Sequence, residues 1–253
     1  MMRILPMFLL VILLGGTQSC KVKEYASDSR PITHESWDSL LRAHVNDDGW
    51  VDYQGFIADS LRFNNYLELL SRHHPNNRHW SRAEQMAYWI NVYNAFTVKL
   101  IVDYYPTNSI KDIKSGIPFI NTVWDIKFIK IEGATYDLNN IEHGILRPRY
   151  KDPRIHMVVN CASVSCPKLY NRAFTADKLE AQLDQAAHDF LTDTNRNIIT
   201  SESAQLSKIF QWYSMDFKSL PDFINQHSPV KINKNTKITY LEYDWNLNEQ
   251  KRD

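Results

Sequence analysis

The 253-residue chain has no net charge to spend: 29 Lys and Arg face 29 Asp and Glu. It has no like-charge run either. Nucleic-acid binding needs a concentrated basic surface, so there is no global electrostatic reason to expect that partner, and no nucleic acid is expected. There is no long apolar run. The longest, Ile4 to Leu14, is interrupted only by Pro6 and falls short of the ~20 residues a bilayer-spanning helix needs. Internal repeats, low-complexity stretches and a convincing linker are also missing, which favours one domain. Cysteine is scarce, with three in the chain, so a disulfide-dense scaffold is out.

The N-terminus accounts for one of those three. Arg3, the apolar run and the small residues Gly15, Gly16 and Ser19 before Cys20 match an export signal. The segment GGTQS-Cys20 suggests a bacterial lipoprotein cleavage site, with Cys20 as the lipidated first residue. Thr17 and Gln18 fit it loosely, and an ordinary signal peptide is the alternative. The expected organisation is a signal peptide over 1–19, a lipid-anchored tether over 20–33 and a single domain over 34–253. The expected location is the bacterial cell envelope, at the outer membrane, with the membrane as a partner through Cys20. Without Arg3 the mature balance is 28 basic against 29 acidic side chains, and 43% hydrophobic residues suffice for a core.

Periodicity places the elements. Helices are expected over 36–44 and 57–72, with a turn and a short extended piece between them. Ser81 with Glu84 forms a capping box for a long helix that Pro106 ends. Met86, Trp89, Ile90, Tyr93, Phe96, Thr97, Leu100 and Ile101 recur at spacings of 3 and 4, so this helix belongs at the centre of the core. Trp124 to Leu138 alternates, with a hairpin break at Glu132-Gly133. Asn139 to Pro148 reads as a short helix, Arg154 to Asn160 as a buried strand, Thr175 to Leu191 as an amphipathic helix capped by Thr175. A hairpin over 198–206, helices over 208–217 and 220–227, and a strand pair over 231–243 complete the reading. Mixed rather than alternating elements mean α+β: a central buried helix on a mostly antiparallel sheet, ringed by helices.

The chemistry-bearing residues cluster late. RIHMVVNCASVSCPKL, from Arg154 to Leu169, holds His156, Asn160, Cys161, Ser163 and Cys166. Cys161 ends the expected strand before small residues, where backbone N–H groups could lower a thiol pKa or hold an oxyanion near Ala162. Cys166 precedes Pro167 and is the weaker nucleophile. On a regular strand His156 and Cys161 face opposite ways, which leaves His143 as the better base for Cys161. Glu142 stands at capping-box spacing from Asn139. Asn91 and Asn94 lie inside the central helix, either orienting a catalytic loop or tying down a loop carbonyl. Four readings of the cysteine pair stay open: a Cys–His nucleophile, a Cys161–Cys166 disulfide, a zinc site with His143 and His156, or two packed thiols.

Several segments in order, WINVYNAFTVKLIVDYYP, VWD, YDLNNIEHGILRP, RIHMVVNCASVSCPKL, IFQWYSMDF and YDWNLN, resemble the domain-of-unknown-function 547 family. The likeness runs from about Trp80 to Asn248. Its short lipoprotein form looks like those of Bacteroidetes-type bacteria. The motif residues it carries over are Asn91, Asn94, Glu142, His143, His156, Asn160, Cys161, Ser163 and Cys166. The family brings no reaction with it. In outline, a Cys and a His on a helix-and-sheet core are similar to papain-like and transglutaminase-like enzymes, although there the cysteine begins the central helix. The expected function is a thiol hydrolase or acyltransferase acting on an amide or ester, a peptide or envelope-derived small molecule. Cys161 is the nucleophile, His143 the base, and Glu142 or Asn94 the orienting group. This chemistry calls for no cofactor and no metal. The alternative is a non-enzymatic envelope binding module with a Cys161–Cys166 staple.

Overall fold

The computed structural model of the chain describes residues 27–114, 116 and 121–251. The expected signal peptide, Cys20 and the first part of the tether lie outside these residues. The rest of the tether runs along the domain: Ser29 accepts from Asn76 Nδ2 (2.9 Å) and Trp80 Nε1 (3.0 Å) through its carbonyl.

Ser81 opens the dominant helix. Its hydroxyl accepts the Glu84 N–H, and the Glu84 carboxylate accepts the Ser81 N–H, so two orphan donors are satisfied reciprocally. Helix formation here follows from the cap and from a run free of Gly and Pro. The helix runs Arg82–Asp103, and sixteen of its 22 residues are buried. A helix buried on nearly every side must be central. Against it pack α2 (Tyr53–Ala58) and α3 (Ser60–Ser71), with α1 (Glu35–His44) packed on these two, making the central helix α4. The extended piece expected before α3 is instead the short α2, because Asp52 caps it by accepting the Gly55 N–H. After α4 come α5 (Arg147–Tyr150), α6 (Leu179–Thr192), α7 (Lys208–Trp212) and α8 (Leu220–His227). Helix α6 starts at Leu179 rather than at Thr175, with Lys178 at its cap position.

The sheets are small. Strands β1 (Ile129–Ile131) and β2 (Ala134–Tyr136) form an antiparallel hairpin with Ile129 opposite Tyr136. Glu132 and Gly133 both take positive φ, 45° and 84°, as a two-residue turn with the right twist demands. Strands β3 (Ile198–Ile199), β4 (Ser203–Leu206) and β5 (Lys237–Tyr240) lie in the order 3-4-5, with β3–β4 antiparallel and β4–β5 parallel. The fold is α+β. The strand pair expected over 231–243 is one strand, which pairs back on β4 rather than on itself. Helix α4 packs chiefly against other helices and turns, not on a sheet face.

One expectation fails outright. Arg154 to Asn160 is not a strand. Pro153 fixes a helical φ, and Asp152 caps by accepting the Arg154 N–H at 2.9 Å, so Pro153–Met157 winds into a 3-10 turn. The apolar residues Ile155, Met157, Val158 and Val159 are buried all the same, which is what made them read as a strand. The buried residues form one continuous core. No helix among the described residues is long and apolar enough to cross a membrane.

Candidate functional site

The loop that carries Cys161 is held from α4. Asn94 Nδ2 donates to the Val158 carbonyl and Asn94 Oδ1 accepts the Asn160 N–H, both at 2.9 Å. Asn160 then repeats the device one step on. Its Nδ2 donates to the Pro167 carbonyl at 2.8 Å, and its Oδ1 accepts the Ala162 N–H at 2.9 Å. The chain turns sharply at Ala162, whose φ is +58°, a left-handed conformation that costs a non-glycine residue about 1 kcal/mol or more. The result is a fixed turn that presents Cys161. Asn94 is therefore a clamp on this loop and does not reach the cavity. Asn91 makes the equivalent pair of bonds to the backbone of Phe174, at 2.8 and 3.1 Å. The Ala162 N–H is already engaged by Asn160 and is not a free oxyanion donor.

The second wall comes from a widened turn. Asn140–Leu146 is π-helical, a geometry that recurs at functional sites. The Asp137 carboxylate accepts the Asn140 N–H (2.5 Å), and Asn140 Oδ1 accepts the Asp137 N–H (3.3 Å). The cap is thus Asp137 with Asn140, not Asn139 with Glu142. Asn139 turns to Asp125 instead, donating at 2.7 Å. Freed from capping, Glu142 is buried beside the hydroxyl of Tyr213, while His143 is exposed.

The third wall is Trp212 to Asp216. Asp216 binds Arg147 in a two-pronged ion pair, from Nε at 2.6 Å and Nη2 at 2.9 Å, and it binds His156 Nε2 at 2.7 Å. Tyr213 stacks on the His156 ring, centroids 4.0 Å apart. Burial pushes the Asp216 carboxyl up, but Arg147 and His156 outweigh it and hold it below the usual range. Burial pushes the His156 imidazole down. Its Nδ1 is buried without a hydrogen-bond partner, 3.9 Å from Glu142 Oε1.

These walls enclose a cavity of about 270 Å³. Glu142, His143, His156, Cys161 and Cys166 all line it, with Tyr93, Tyr213, Tyr243 and a rim of Trp124, Trp212 and Trp245. His156 and Cys161 thus share one cavity, because the 3-10 turn cancels the strand alternation that would have separated them. The two histidines carry the same tautomer, fixed by different partners. Arg147 Nη1 can only donate, so the His143 Nδ1 that it meets at 2.8 Å is an acceptor and Nε2 carries the proton. Asp216 accepts, so in the neutral ring His156 Nε2 carries the proton and Nδ1 bears the lone pair.

Cys161 and Cys166 are both free thiols, Cys166 buried and Cys161 partly exposed. Cys161 Sγ lies 3.2 Å from Ser163 Oγ, 3.3 Å from Tyr243 Oη and 2.8 Å from Cys166 Sγ. Burial pushes the Cys161 thiol up, yet these three hydrogen bonds outweigh it and leave the thiol below its ordinary range. Among the described residues no group of three His, Cys, Asp or Glu side chains is placed to hold a metal ion.

Sequence reasoning missed Tyr213, Asp216 and Tyr243. The signal was present in WYSMDF and YDWNLN, where polar and aromatic residues stand side by side, but no spacing rule ties them to residues 50 to 80 positions upstream. The nine site residues picked out within the domain fall between 91 and 166, whereas the Asp216 carboxylate and most of the aromatic rim come from outside that stretch. No curated protein and no solved structure matches the chain. Residues 77–191 match the model of a family described as protein of unknown function, DUF547. That match covers every one of those nine residues and supports assigning the segment to the DUF547 family.

Proposed function

We propose that the chain is a thiol-dependent hydrolase or acyltransferase acting on an ester or amide. The observation that carries the reading is a thiol with a lowered pKa opening into the same cavity as a carboxylate-held histidine whose second nitrogen is unpartnered. Cys161 is the nucleophile. His156 replaces His143 as base, because Asp216 fixes its proton on Nε2 and leaves Nδ1 to accept. His143 keeps a role as donor: its Nε2–H polarises the substrate carbonyl, a task the Ala162 N–H is not free to perform. The thiol proton passes to His156 Nδ1 through a bridging water. The sulfur attacks the carbonyl carbon and the proton returns to the departing amine or alcohol. Water, or a second acceptor, then cleaves the thioester.

The test is acylation by p-nitrophenyl acetate followed by intact mass and peptide mapping. One acetyl group on Cys161, lost in Cys161→Ser and at least 100-fold slower in His156→Gln, supports the reading. Acetylation confined to lysines, equal in all three proteins, refutes it.

A second reading, binding without chemistry, is favoured by the aromatic rim, where Trp212 and Trp245 lie 5.8 Å apart and nearly parallel. Such surfaces take flat apolar faces of sugars or peptides. Tryptophan fluorescence quenched by envelope glycan fragments, with no thiol dependence, would favour it. For either reading we place the protein in the bacterial envelope, tethered through Cys20.

A further inference from the structure

Hydrolysis needs one thiol, and this cavity has two in contact. The contact is built. Between Cys161 and Cys166 the loop is pinned from four sides. Ala162 is fixed by Asn160, Val164 N–H donates to the Asn246 carbonyl (2.9 Å), and Ser165 N–H donates to the Asp244 carbonyl (3.2 Å). Arg196 donates to the carbonyls of Val164 (2.8 Å) and Cys166 (2.7 Å). The Cys161 N–H also points at Cys166 Sγ, at 2.8 Å. Two sulfurs held this way cannot drift apart without breaking most of those bonds.

Their environments differ in the way an exchanging pair requires. Cys161 is partly open to the cavity, whereas Cys166 is 3% exposed. Cys161 Sγ lies within hydrogen-bond distance of both the Ser163 and the Tyr243 hydroxyl, whereas only the Tyr243 hydroxyl bears on Cys166. Burial and the adjacent Cys161 push the Cys166 thiol well up. In thiol–disulfide exchange the accessible, ionised sulfur attacks first and a shielded neighbour completes the exchange.

We propose that Cys161 and Cys166 form a redox-active pair that reduces an external low-molecular-weight disulfide. Cys161, as thiolate, attacks one sulfur of RS–SR. A Cys161–SR bond forms, the RS–SR bond breaks, and one thiolate leaves to take a proton from solvent. Cys166 then gives up its proton to solvent and attacks Cys161 Sγ. The Cys161–Cys166 bond forms, the Cys161–SR bond breaks, and the second thiolate leaves. The protein dithiol is oxidised by two electrons and the disulfide is reduced to two thiols. The activity shares Cys161 with the proposed acyl chemistry but needs neither imidazole, so a failed acylation leaves it standing.

The test uses the full chain carrying Cys20→Ser, so that only this pair can react. The folded protein is equilibrated with glutathione at graded ratios of reduced to oxidised form, quenched in acid, alkylated and mapped by mass. The expected result is a single two-electron transition to a Cys161–Cys166 bond. Early time points show a glutathione adduct on Cys161 first, forming at least tenfold faster at pH 7 than in the same chain unfolded in urea. Cys166→Ser accumulates that adduct without resolving it. A stable glutathione adduct on the wild-type pair, or native thiols that react no faster than unfolded ones, overturns the proposal. Circular dichroism checks that Cys166→Ser is folded. Should it not be, the wild-type time course decides alone. Ester acylation is not involved in this readout, so its success or failure bears only on the hydrolase reading.

Discussion

Replacing Asn94 by leucine removes two hydrogen bonds while keeping a side chain of comparable shape in the middle of α4. The Val158 carbonyl and the Asn160 N–H, each 2.9 Å from the amide, are left without partners in a buried place. An unpaired buried polar group costs about 1–3 kcal/mol, so two cost roughly 2–6, with about 4 as the working figure. With a urea slope of about 2.5 kcal/mol per molar, the unfolding midpoint falls by roughly 1.6 M. Asn91→Leu is the matched control. It orphans the Phe174 carbonyl and N–H and loses a similar amount, but the segment it frees leads to α6, not to Cys161. The discriminating assay is therefore iodoacetamide alkylation of Cys161 at pH 7, at a temperature where both variants stay folded. Asn94→Leu loosens the turn, weakens the hydrogen bonds to the sulfur and lowers the thiolate fraction, slowing alkylation roughly 3–10-fold. Asn91→Leu leaves it unchanged. A midpoint within 0.2 M (~0.5 kcal/mol) of wild type for Asn94→Leu, or an equal effect of both variants on Cys161, refutes the clamp.

Four further outcomes are expected. Tyr243→Phe removes one hydrogen bond from Cys161 Sγ and moves the alkylation profile to higher pH, with a rate at pH 7 lower by about two- to fivefold; an unmoved profile contradicts the account of the thiol. Asp216→Asn takes away the group that fixes the His156 proton, so acylation of Cys161 by p-nitrophenyl acetate drops on the order of 10²-fold while iodoacetamide alkylation changes little; parallel losses in both assays would mean a merely structural carboxylate. His34 is buried and its pKa is lowered by burial to about 4. The unfolded chain takes up that proton first, so the stability is present above pH 6.5 and is lost as pH falls toward 4, roughly 3 kcal/mol in all; His34→Gln flattens urea midpoints across that window by this amount, and unchanged pH dependence refutes it. Cys20→Ser abolishes incorporation of labelled fatty acid and releases the protein from membranes, as fractionation of expressing cells would report; persistent labelling contradicts the lipid anchor.

Local chemistry wrote much of the fold. The Ser81–Glu84 box, the 3 and 4 spacing from Met86 to Ile101 and the Glu132-Gly133 turn are short-range patterns, and each appears where its pattern lies. Asp52, Asp137 and Asp152 cap the residues just after them, but the apolar run after Asp152 is, as a pattern, equally compatible with a strand or a buried 3-10 turn. At His156 that ambiguity decided the site. Pro153 and the Asp152 cap settled the local conformation, and with it which face the imidazole takes.

By itself, then, the sequence determined the central helix with Asn91 and Asn94 on it, and the segment from Glu142 to Cys166 that holds its other candidate residues. Only the tertiary structure decided which of them meet. Asn94 is paired with a backbone 64 residues away, His156 with a carboxylate 60 residues away, and Cys161 with a tyrosine 82 residues away. No periodicity encodes such pairings. They arise because packing α4 at the centre of the core brings distant loops against its middle turns, around Asn94, where buried polar groups must find partners or forfeit the stability of the fold.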